Sequence, residues 1–382
     1  MSTLFLQSEI KNPYLFYQKM MEENPVYWDE LNKIWAVYSY GYCTEILNHK
    51  SVHIPSVSEN NLNEYALKIS RNLARLSNEI HHVIAKETAT VLFSYMKSVR
   101  INSIFSELFQ NNTATKINWV ESICKKLPVL IVLKSFDFNA NESLFISENI
   151  SHLIKIMQPV KKSEDIEFIN IVSKEVYFII ENHIRTFSFY ENLEKSISTQ
   201  YSISNEEIKS ILISNLIGLF IQSYDAGRGL LSNTLLHCFS EKKNLNKADK
   251  IQIQKLVVET LRFDPPIHNT RRIAANDIQL NGMKIKKEES ILLVLASANR
   301  DSKQFEKPQL FNIERKNNHD HLTFGTGGHM CLAKHFSINL ATEVLYYLFQ
   351  NFENIAILDQ EIEYEPLINA RLPKAIWISL YN

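Results

Sequence analysis

Glycine is scarce in this chain, with eight residues in 382, and proline is nearly as rare, with ten. Collagen-like and glycine/proline-rich low-complexity architectures are therefore excluded. The four cysteines, Cys43, Cys124, Cys238 and Cys331, lie far apart with no C-x-x-C spacing. That argues against a disulfide framework or a structural zinc site and leaves each cysteine, by default, as a small buried hydrophobe. A formal net charge of -1 gives no electrostatic reason to expect nucleic acid or an anionic membrane as partner. No run of 18 apolar residues occurs, and the opening Met1-Ser-Thr-Leu-Phe-Leu-Gln is broken early by Ser8, Glu9 and Lys11, so a leader or anchor is not expected and the cytoplasm is the default.

Hydrophobic residues make up 45% of the chain and aromatics 11%, ample for a packed core. Neither an internal repeat nor a low-complexity linker marks a boundary, so residues 1–382 read as one domain. Ile34-Trp-Ala-Val-Tyr-Ser reads as a strand and Tyr42 to Leu47 as a short helix. From about 60 to 260, apolar residues recur at three and four and prolines nearly vanish, the pattern of helices. The longest helical stretch runs from about Asn205 to Ser240, opened by Ser204 with Glu207 three residues on, a capping-box pattern. At 1.5 Å per residue it would span about 50 Å. Its apolar run through Leu212, Ile213, Leu216, Ile217, Leu219, Phe220 and Ile221 predicts burial on most sides. From 267 to 315 the texture changes, with Ile278-Gln-Leu-Asn-Gly-Met-Lys-Ile and Ile291-Leu-Leu-Val-Leu reading as strands about turns, and the tail returns to a helix and short strands. The expected class is mostly α with a minor β portion.

Three of the eight glycines fall together, at Gly325, Gly327 and Gly328, directly before His329, Met330 and Cys331. Concentrating the most permissive residue there implies a backbone that turns tightly or approaches something closely. A helical pattern (Ala333, Phe336, Leu340, Ala341) follows, which would put Cys331 at a helix N-terminus, where free N–H groups and the helix dipole favour a thiolate. A thiolate offered by a glycine-rich loop is what ligation of haem iron requires. The plainer reading of the same residues is a tight loop leading into a helix.

The segment Phe324-Gly-Thr-Gly-Gly-His-Met-Cys-Leu-Ala333 resembles the cytochrome P450 haem-thiolate monooxygenases, whose pattern is F-x-x-G-x-x-x-C-x-[GA]. Upstream, Glu259-Thr-Leu-Arg262 matches that family's E-x-x-R helix and is followed by Pro265 and Pro266; Ala298-Asn-Arg-Asp301 and Pro308-Gln-Leu-Phe311-Asn-Ile-Glu-Arg315 fit the segments between. The likeness is dense from about 255 to 350 and weaker before it. It implies the cytochrome P450 fold, with a long central helix over haem b, iron protoporphyrin IX, and Cys331 as the metal ligand. Phe324, Gly325, His329 and Ala333 would complete the cofactor-binding loop. Glu259 and Arg262, three apart and so on one helix face, would be joined by Arg315 in a structural network fixing that loop. For the two haem propionates the resemblance implies Arg272 and His321, with His82 and Lys86 as the best match to an early H-x-x-x-R pair.

One departure bears on chemistry. The family's central helix carries [AG]-G-x-[DE]-T, and this chain has Gln222-Ser-Tyr-Asp-Ala-Gly227, keeping the acid as Asp225 and placing Ala226 where the threonine belongs. Reductive cleavage of dioxygen needs protons, normally delivered through an alcohol backed by a carboxylate. Three readings are open: a substrate group supplies the missing hydrogen bond; Ser223, Tyr224 or an ordered water takes its place; or the enzyme uses peroxide or runs another reaction. Gly227 and Gly229 would loosen the helix, at about 1 kcal/mol each against alanine. Arg228 between them reads either as an exposed or capped arginine or as an anchor for a substrate carboxylate. The resemblance also puts Tyr65, Phe220, Tyr224, Ile267 and His268 along the substrate pocket.

What the resemblance implies in function is hydroxylation of a small organic substrate, often in secondary metabolism, with electrons from a ferredoxin- or flavodoxin-type partner, since no reductase or nucleotide-binding glycine motif is present. Ala226 keeps open oxidative cross-linking of aromatic residues in a peptide or carrier-bound substrate, or a non-catalytic helper. Cys331, Glu259, Arg262 and Arg272 together weigh against a helper, which needs no iron ligand.

Overall fold

A computed structural model of the chain describes residues 2–57, 61–96, 99–110, 115–158, 161–240 and 249–381. Helix accounts for 56% and strand for 11%, the mostly α class that the sequence predicts. In chain order the elements open with α1 (Pro13–Glu23), β1 (Val26–Asp29), β2 (Ile34–Val37), α2 (Tyr40–Leu47), β3 (Val52–His53), α3 (Glu64–Asn72), α4 (Glu79–Met96), α5 (Ile101–Gln110) and β4 (Lys116–Asn118). They continue through α6 (Lys126–Ser135), α7 (Ala140–Leu153), α8 (Ser163–Ile184), α9 (Tyr190–Tyr201), α10 (Asn205–Ser240) and α11 (Lys250–Phe263). Then come β5 (Thr270–Ala274), β6 (Ile278–Leu280), β7 (Met283–Ile285), β8 (Ser290–Leu293), α12 (Leu295–Ala298), α13 (Lys334–Asn351), β9 (Asn354–Ile357) and β10 (Trp377–Tyr381). Among the described residues no helix is long and apolar enough to cross a membrane.

The chain divides into two compact units. The first holds residues 1–53, 100–127 and 225–382; the second holds 54–99 and 128–224. Every strand lies in the first. Its main sheet has the order β1-β2-β8-β5-β3, with β2 and β8 parallel and the other pairs antiparallel. The one parallel pair matters because it brings β8, and the α12 turn after it, next to the start of the chain. Buried Val37, Cys43, Ile46, Ile291, Leu293 and Leu322 pack on one side of this sheet, and Tyr17, Met20, Ala36 and Leu292 on the other. The alternation of Leu292 and Leu293 between the two clusters is the period of two that a strand imposes.

The second unit is helical. Ala74, Ile84, Ala85, Ala89, Ile197, Ile208 and Ile211 form one of its clusters. Residues 205–224 of α10 belong to it, and the helix begins as its sequence signal predicts: Ser204 Oγ accepts the Glu207 N–H at 3.2 Å. The helix then runs unbroken to Ser240, so Gly227 and Gly229 lower its propensity without interrupting it.

Asp29, at the end of β1, is buried and accepts bonds from the Thr3 N–H (2.7 Å) and hydroxyl (2.7 Å), the Leu31 and Asn32 N–H groups (3.1 and 3.2 Å) and the Asn32 amide (2.7 Å). Burial alone would raise its pKa, but these donors favour the charged form and hold it down at about 2, below its ordinary 3.8. The folded value is depressed, so this contribution is whole above pH 4 or so and is lost as pH falls towards the folded value. Asp29→Asn should therefore flatten the acid limb of a stability-versus-pH curve, removing about 2 kcal/mol of dependence, as read by urea unfolding between neutral pH and the acid limit of folding.

Candidate active site

The glycine-rich segment forms a closed loop. The Cys331 N–H donates to the Phe324 carbonyl at 2.9 Å, the Gly325 N–H to the Leu322 carbonyl at 2.8 Å, and the Met330 N–H to the Gly327 carbonyl at 3.2 Å. Gly325 and Gly327 have φ of 67° and 72°, a region that side chains with a Cβ resist. Gly327 meets a second constraint: a Cβ there would lie 2.6 Å from Asn48 Oδ1 and 3.3 Å from the Leu47 carbonyl, at the end of α2. Gly327→Ala should lower stability by about 1–3 kcal/mol, measurable as a drop in the denaturation midpoint with an unchanged urea slope. Cys331 lies three residues before α13 begins at Lys334 rather than in its first turn, so the loop more than the helix dipole sets its surroundings.

Cys331 is exposed, whereas Cys43, Cys124 and Cys238 are buried. Burial pushes the Cys124 thiol up to about 12 and the Cys43 and Cys238 thiols higher still. Of the four, Cys331 alone combines access with a built loop.

Behind the loop lies a buried ionic network. Glu259 and Arg262 are both fully buried. Arg262 Nε donates to Glu259 Oε2 at 2.9 Å and Nη2 to Oε1 at 2.7 Å, a bidentate pair. The remaining guanidinium donors reach three backbone carbonyls, Asn299 (3.0 Å), Pro308 (3.0 Å) and Leu310 (3.2 Å). Arg315 joins through Nε to Glu259 Oε1 at 3.4 Å and caps the carbonyls of Glu306, Lys307 and Leu310. The three residues that the motif reading grouped thus sit together, and a surface ion pair is ruled out by their burial.

Two further residues carry this network to the loop. Asn299 Oδ1 accepts the Leu322 N–H at 2.6 Å, its amide donates to Thr323 Oγ1 at 2.9 Å, and the Thr323 hydroxyl donates to the Leu261 carbonyl at 2.6 Å. Leu261 and Arg262 are neighbours on α11, so the helix grips the loop at its first residues. Asn299 lay inside a segment noted for its family likeness; nothing local in the sequence singled out Thr323.

His321 is buried and its ring lies 5.6 Å from that of Phe324. Burial drops its pKa to about 3, so the imidazole is neutral. Nδ1 accepts the Thr323 N–H at 3.3 Å, which leaves the proton on Nε2, and Nε2 is buried with no hydrogen-bond partner among the described residues. A buried donor left unpaired costs about 1–3 kcal/mol. Arg272 is buried on β5, where its Nη1 donates to Thr270 Oγ1 at 3.1 Å and the Arg271 carbonyl at 2.8 Å. An accessible thiol on a glycine-rich loop, an orphaned imidazole donor and a buried cation fit the demands of haem: a thiolate ligand and donors for carboxylates.

The other predicted positions fall elsewhere. His82 and Lys86 lie four apart on α4, in the second unit, and His82 Nδ1 bonds the Ala74 carbonyl at 2.7 Å. Ser223, in the same unit, donates its hydroxyl to the Phe220 carbonyl at 3.2 Å. In the first unit, Asp225 forms an ion pair with Arg228 at 3.2 Å. Arg228 is buried, which corrects the reading of an exposed arginine, and a second carboxylate, Glu365, holds its Nη1 at 3.2 Å. Of the residues that the resemblance puts along the substrate pocket, His268 is held by tyrosines. It is fully buried against α1, with Nδ1 3.0 Å from Tyr17 Oη and Nε2 3.4 Å from Tyr14 Oη.

Comparison with known proteins agrees with this geometry. The cytochrome P450 family model matches residues 252–368, the stretch that holds the network and the loop. A biotin biosynthesis cytochrome P450 of Bacillus subtilis is 23% identical over 375 residues, covering 95% of this chain and 94% of that protein. Pulcherriminic acid synthase from the same organism is 21% identical, over 96% and 95%. Among solved structures, P450BioI in complex with an acyl carrier protein carrying hexadec-9Z-enoic acid superposes with a TM-score of 0.81 at 22% identity, over 98% of this chain and 99% of that one. The haem domain of a Tepidiphilus thermophilus P450 reaches a TM-score of 0.84 at 17% identity, over 99% and 96%.

Proposed function

We propose that this chain, a member of the cytochrome P450 family and a monooxygenase that takes haem b as its cofactor, hydroxylates a small, mainly apolar organic substrate of secondary metabolism in the cytoplasm, with electrons from a separate ferredoxin- or flavodoxin-type donor. The observation that carries this reading is the loop itself: the one exposed cysteine, on a glycine-rich turn clamped to α11 by Asn299 and Thr323.

In this reading Cys331 is the iron ligand. Phe324, Gly325, His329 and Ala333 shape the loop around it, and Glu259, Arg262 and Arg315 hold its base. His321 donates Nε2–H to one propionate, and Arg272 supplies a buried positive charge for the same pair of carboxylates. His82 and Lys86, side by side on α4, are proposed to serve a propionate as well. When bound, the haem supplies the redox chemistry on dioxygen, which a thiolate ligand favours by donating electron density. Asp225 is the proposed proton-handling carboxylate, and Ala226 leaves it without an adjacent hydroxyl. Residues 1–382 act as one catalytic domain in this proposal.

A second reading has one supporting observation besides Ala226. The similar P450BioI was solved in complex with an acyl carrier protein ligated to hexadec-9Z-enoic acid, so a carrier-bound or peptide substrate, including oxidative cross-linking of aromatic side chains, is the alternative. The test supplies the haem-loaded protein with NADPH, a surrogate ferredoxin and its reductase, isotopically heavy dioxygen, and free or carrier-linked organic substrates. Heavy oxygen appearing in a free small molecule supports hydroxylation. Turnover only of carrier-linked or peptide substrates favours the alternative, and no dioxygen-dependent product from either class defeats the proposal.

A further inference from the structure

Arg228 is the most unusual residue of α10: a cation in an apolar helix, with only 7% of its side chain exposed, and with two carboxylates for one positive charge. Its Nε lies 3.2 Å from Asp225 Oδ1, three residues back on the same helix. Its Nη1 makes an aligned hydrogen bond to Glu365 Oε1, also at 3.2 Å. Asp225 and Glu365 keep 33% and 25% of their side chains exposed, so each carboxylate remains in reach of solvent.

The backbone explains how Glu365 comes to be there. A Cβ on Gly229 would lie 2.4 Å from Leu372 Cδ2 and 2.5 Å from Pro266 Cβ, so only glycine lets this turn of α10 meet those residues. The Arg371 N–H bonds the Pro266 carbonyl at 3.0 Å, and the Glu365 N–H bonds the Leu372 carbonyl at 2.9 Å. Leu372 thus fills the space that Gly229 leaves and carries Glu365 with it, beside Arg228. The glycine that looked like a weakness in the helix is what admits the second carboxylate.

We propose that Glu365 is a positioning residue for Asp225, acting through Arg228. This rests on the monooxygenase reading above. A guanidinium is a planar fork whose edges can each take a carboxylate. Glu365 draws Nη1 to itself and so fixes how the guanidinium faces Asp225, whose Oδ1 it meets through Nε. Without that pull, the guanidinium rotates its Nε/Nη2 edge squarely onto the Asp225 carboxylate and immobilises it. With Ala226 next to it, Asp225 has no adjacent hydroxyl to share the proton, so its freedom to exchange a proton with water decides how fast protons reach the reacting oxygen. Fast delivery completes reduction to water, using four electrons and four protons per dioxygen. Slow delivery favours release as hydrogen peroxide, which uses two of each, with NADPH as the electron source through the reductase.

The experiment compares wild type, Glu365→Gln and Glu365→Asp, each haem-loaded and first checked by its carbon monoxide difference spectrum. The partition of consumed dioxygen between peroxide and water is measured with NADPH and a surrogate ferredoxin system. Separately, the carboxylate stretch of Asp225, assigned by subtracting Asp225→Asn, is read in the infrared without turnover. Glu365→Gln should raise the peroxide-to-water ratio by about tenfold, less than the roughly 100-fold or more that a positioned acid or base itself contributes, because Glu365 acts only through Arg228, and should shift the Asp225 band. Glu365→Asp should restore both most of the way. An Asp225 band unmoved by Glu365→Gln, or a moved band with an unchanged ratio, overturns the inference. If the wild type consumes no dioxygen, the monooxygenase reading fails, and the infrared comparison still decides whether Glu365 governs Asp225.

Discussion

Arg262→Ala is expected to lower stability by about 3–5 kcal/mol, the cost of breaking a buried ion pair from one side, and to leave a protein that loses haem on gel filtration. The cause is the number of groups that one guanidinium serves. Removing it strips its two bonds from a fully buried Glu259 carboxylate, uncaps the Asn299 and Pro308 carbonyls, and leaves the Leu310 carbonyl to Arg315 alone. The Asn312 N–H, at 2.9 Å, and Arg315 remain on Glu259 Oε1, which is not enough for a charge with no access to water. Arg262→Lys should rescue little, since an ammonium cannot form the fork that reaches a carboxylate and three carbonyls together. Urea unfolding of the two variants beside wild type checks this. A loss under about 1 kcal/mol for Arg262→Ala, the range of an exposed pair, would mean that the network does not anchor the loop.

Much of this architecture was legible before any coordinates. The strand and helix read at 34–39 and 42–47 followed from local pattern, the structure ending the strand at Val37 and starting the helix at Tyr40. The limits of α10 followed from Ser204, Glu207 and an unbroken apolar run. The cysteine loop announced itself by spending three of eight glycines in four residues, two of them with positive φ in the structure. Glu259, Arg262 and Arg315 were legible only through family likeness, because an E-x-x-R spacing by itself says surface ion pair.

What stayed hidden was set by distant partners. The three-residue strand Lys116–Asn118 has no periodicity to read; it exists because β10 pairs with it from the far end of the chain. Arg228 looked exposed or capped because the only carboxylate near it in the sequence is Asp225, three residues back. Its second carboxylate lies 137 residues away, in a tail read only as short strands. His268 looked like a pocket residue because its partners, Tyr14 and Tyr17, stand about 250 residues upstream. The tie between α11 and the loop runs through an asparagine and a threonine, residue types too common in turns to stand out.

Cys331→Ala carries the other large expected effect. No other thiol can substitute, because Cys43, Cys124 and Cys238 are buried with pKa values raised by burial, and a protonated thiol is no ligand. Mutating residues that merely support a ligand typically costs about 10–100-fold, so losing the ligand itself should cost more in monooxygenase activity. The fold should survive, since the side chain is exposed and the loop is held by backbone bonds and by Asn299 and Thr323.

The most direct measurement is the absorption spectrum of the haem-loaded protein, reduced and exposed to carbon monoxide, beside the Cys331→Ala variant. Thiolate ligation predicts a strongly red-shifted Soret band in the wild type that is absent from the variant. A wild type that takes up no haem, or a band unchanged by the substitution, would contradict Cys331 as the iron ligand and with it the account of the loop.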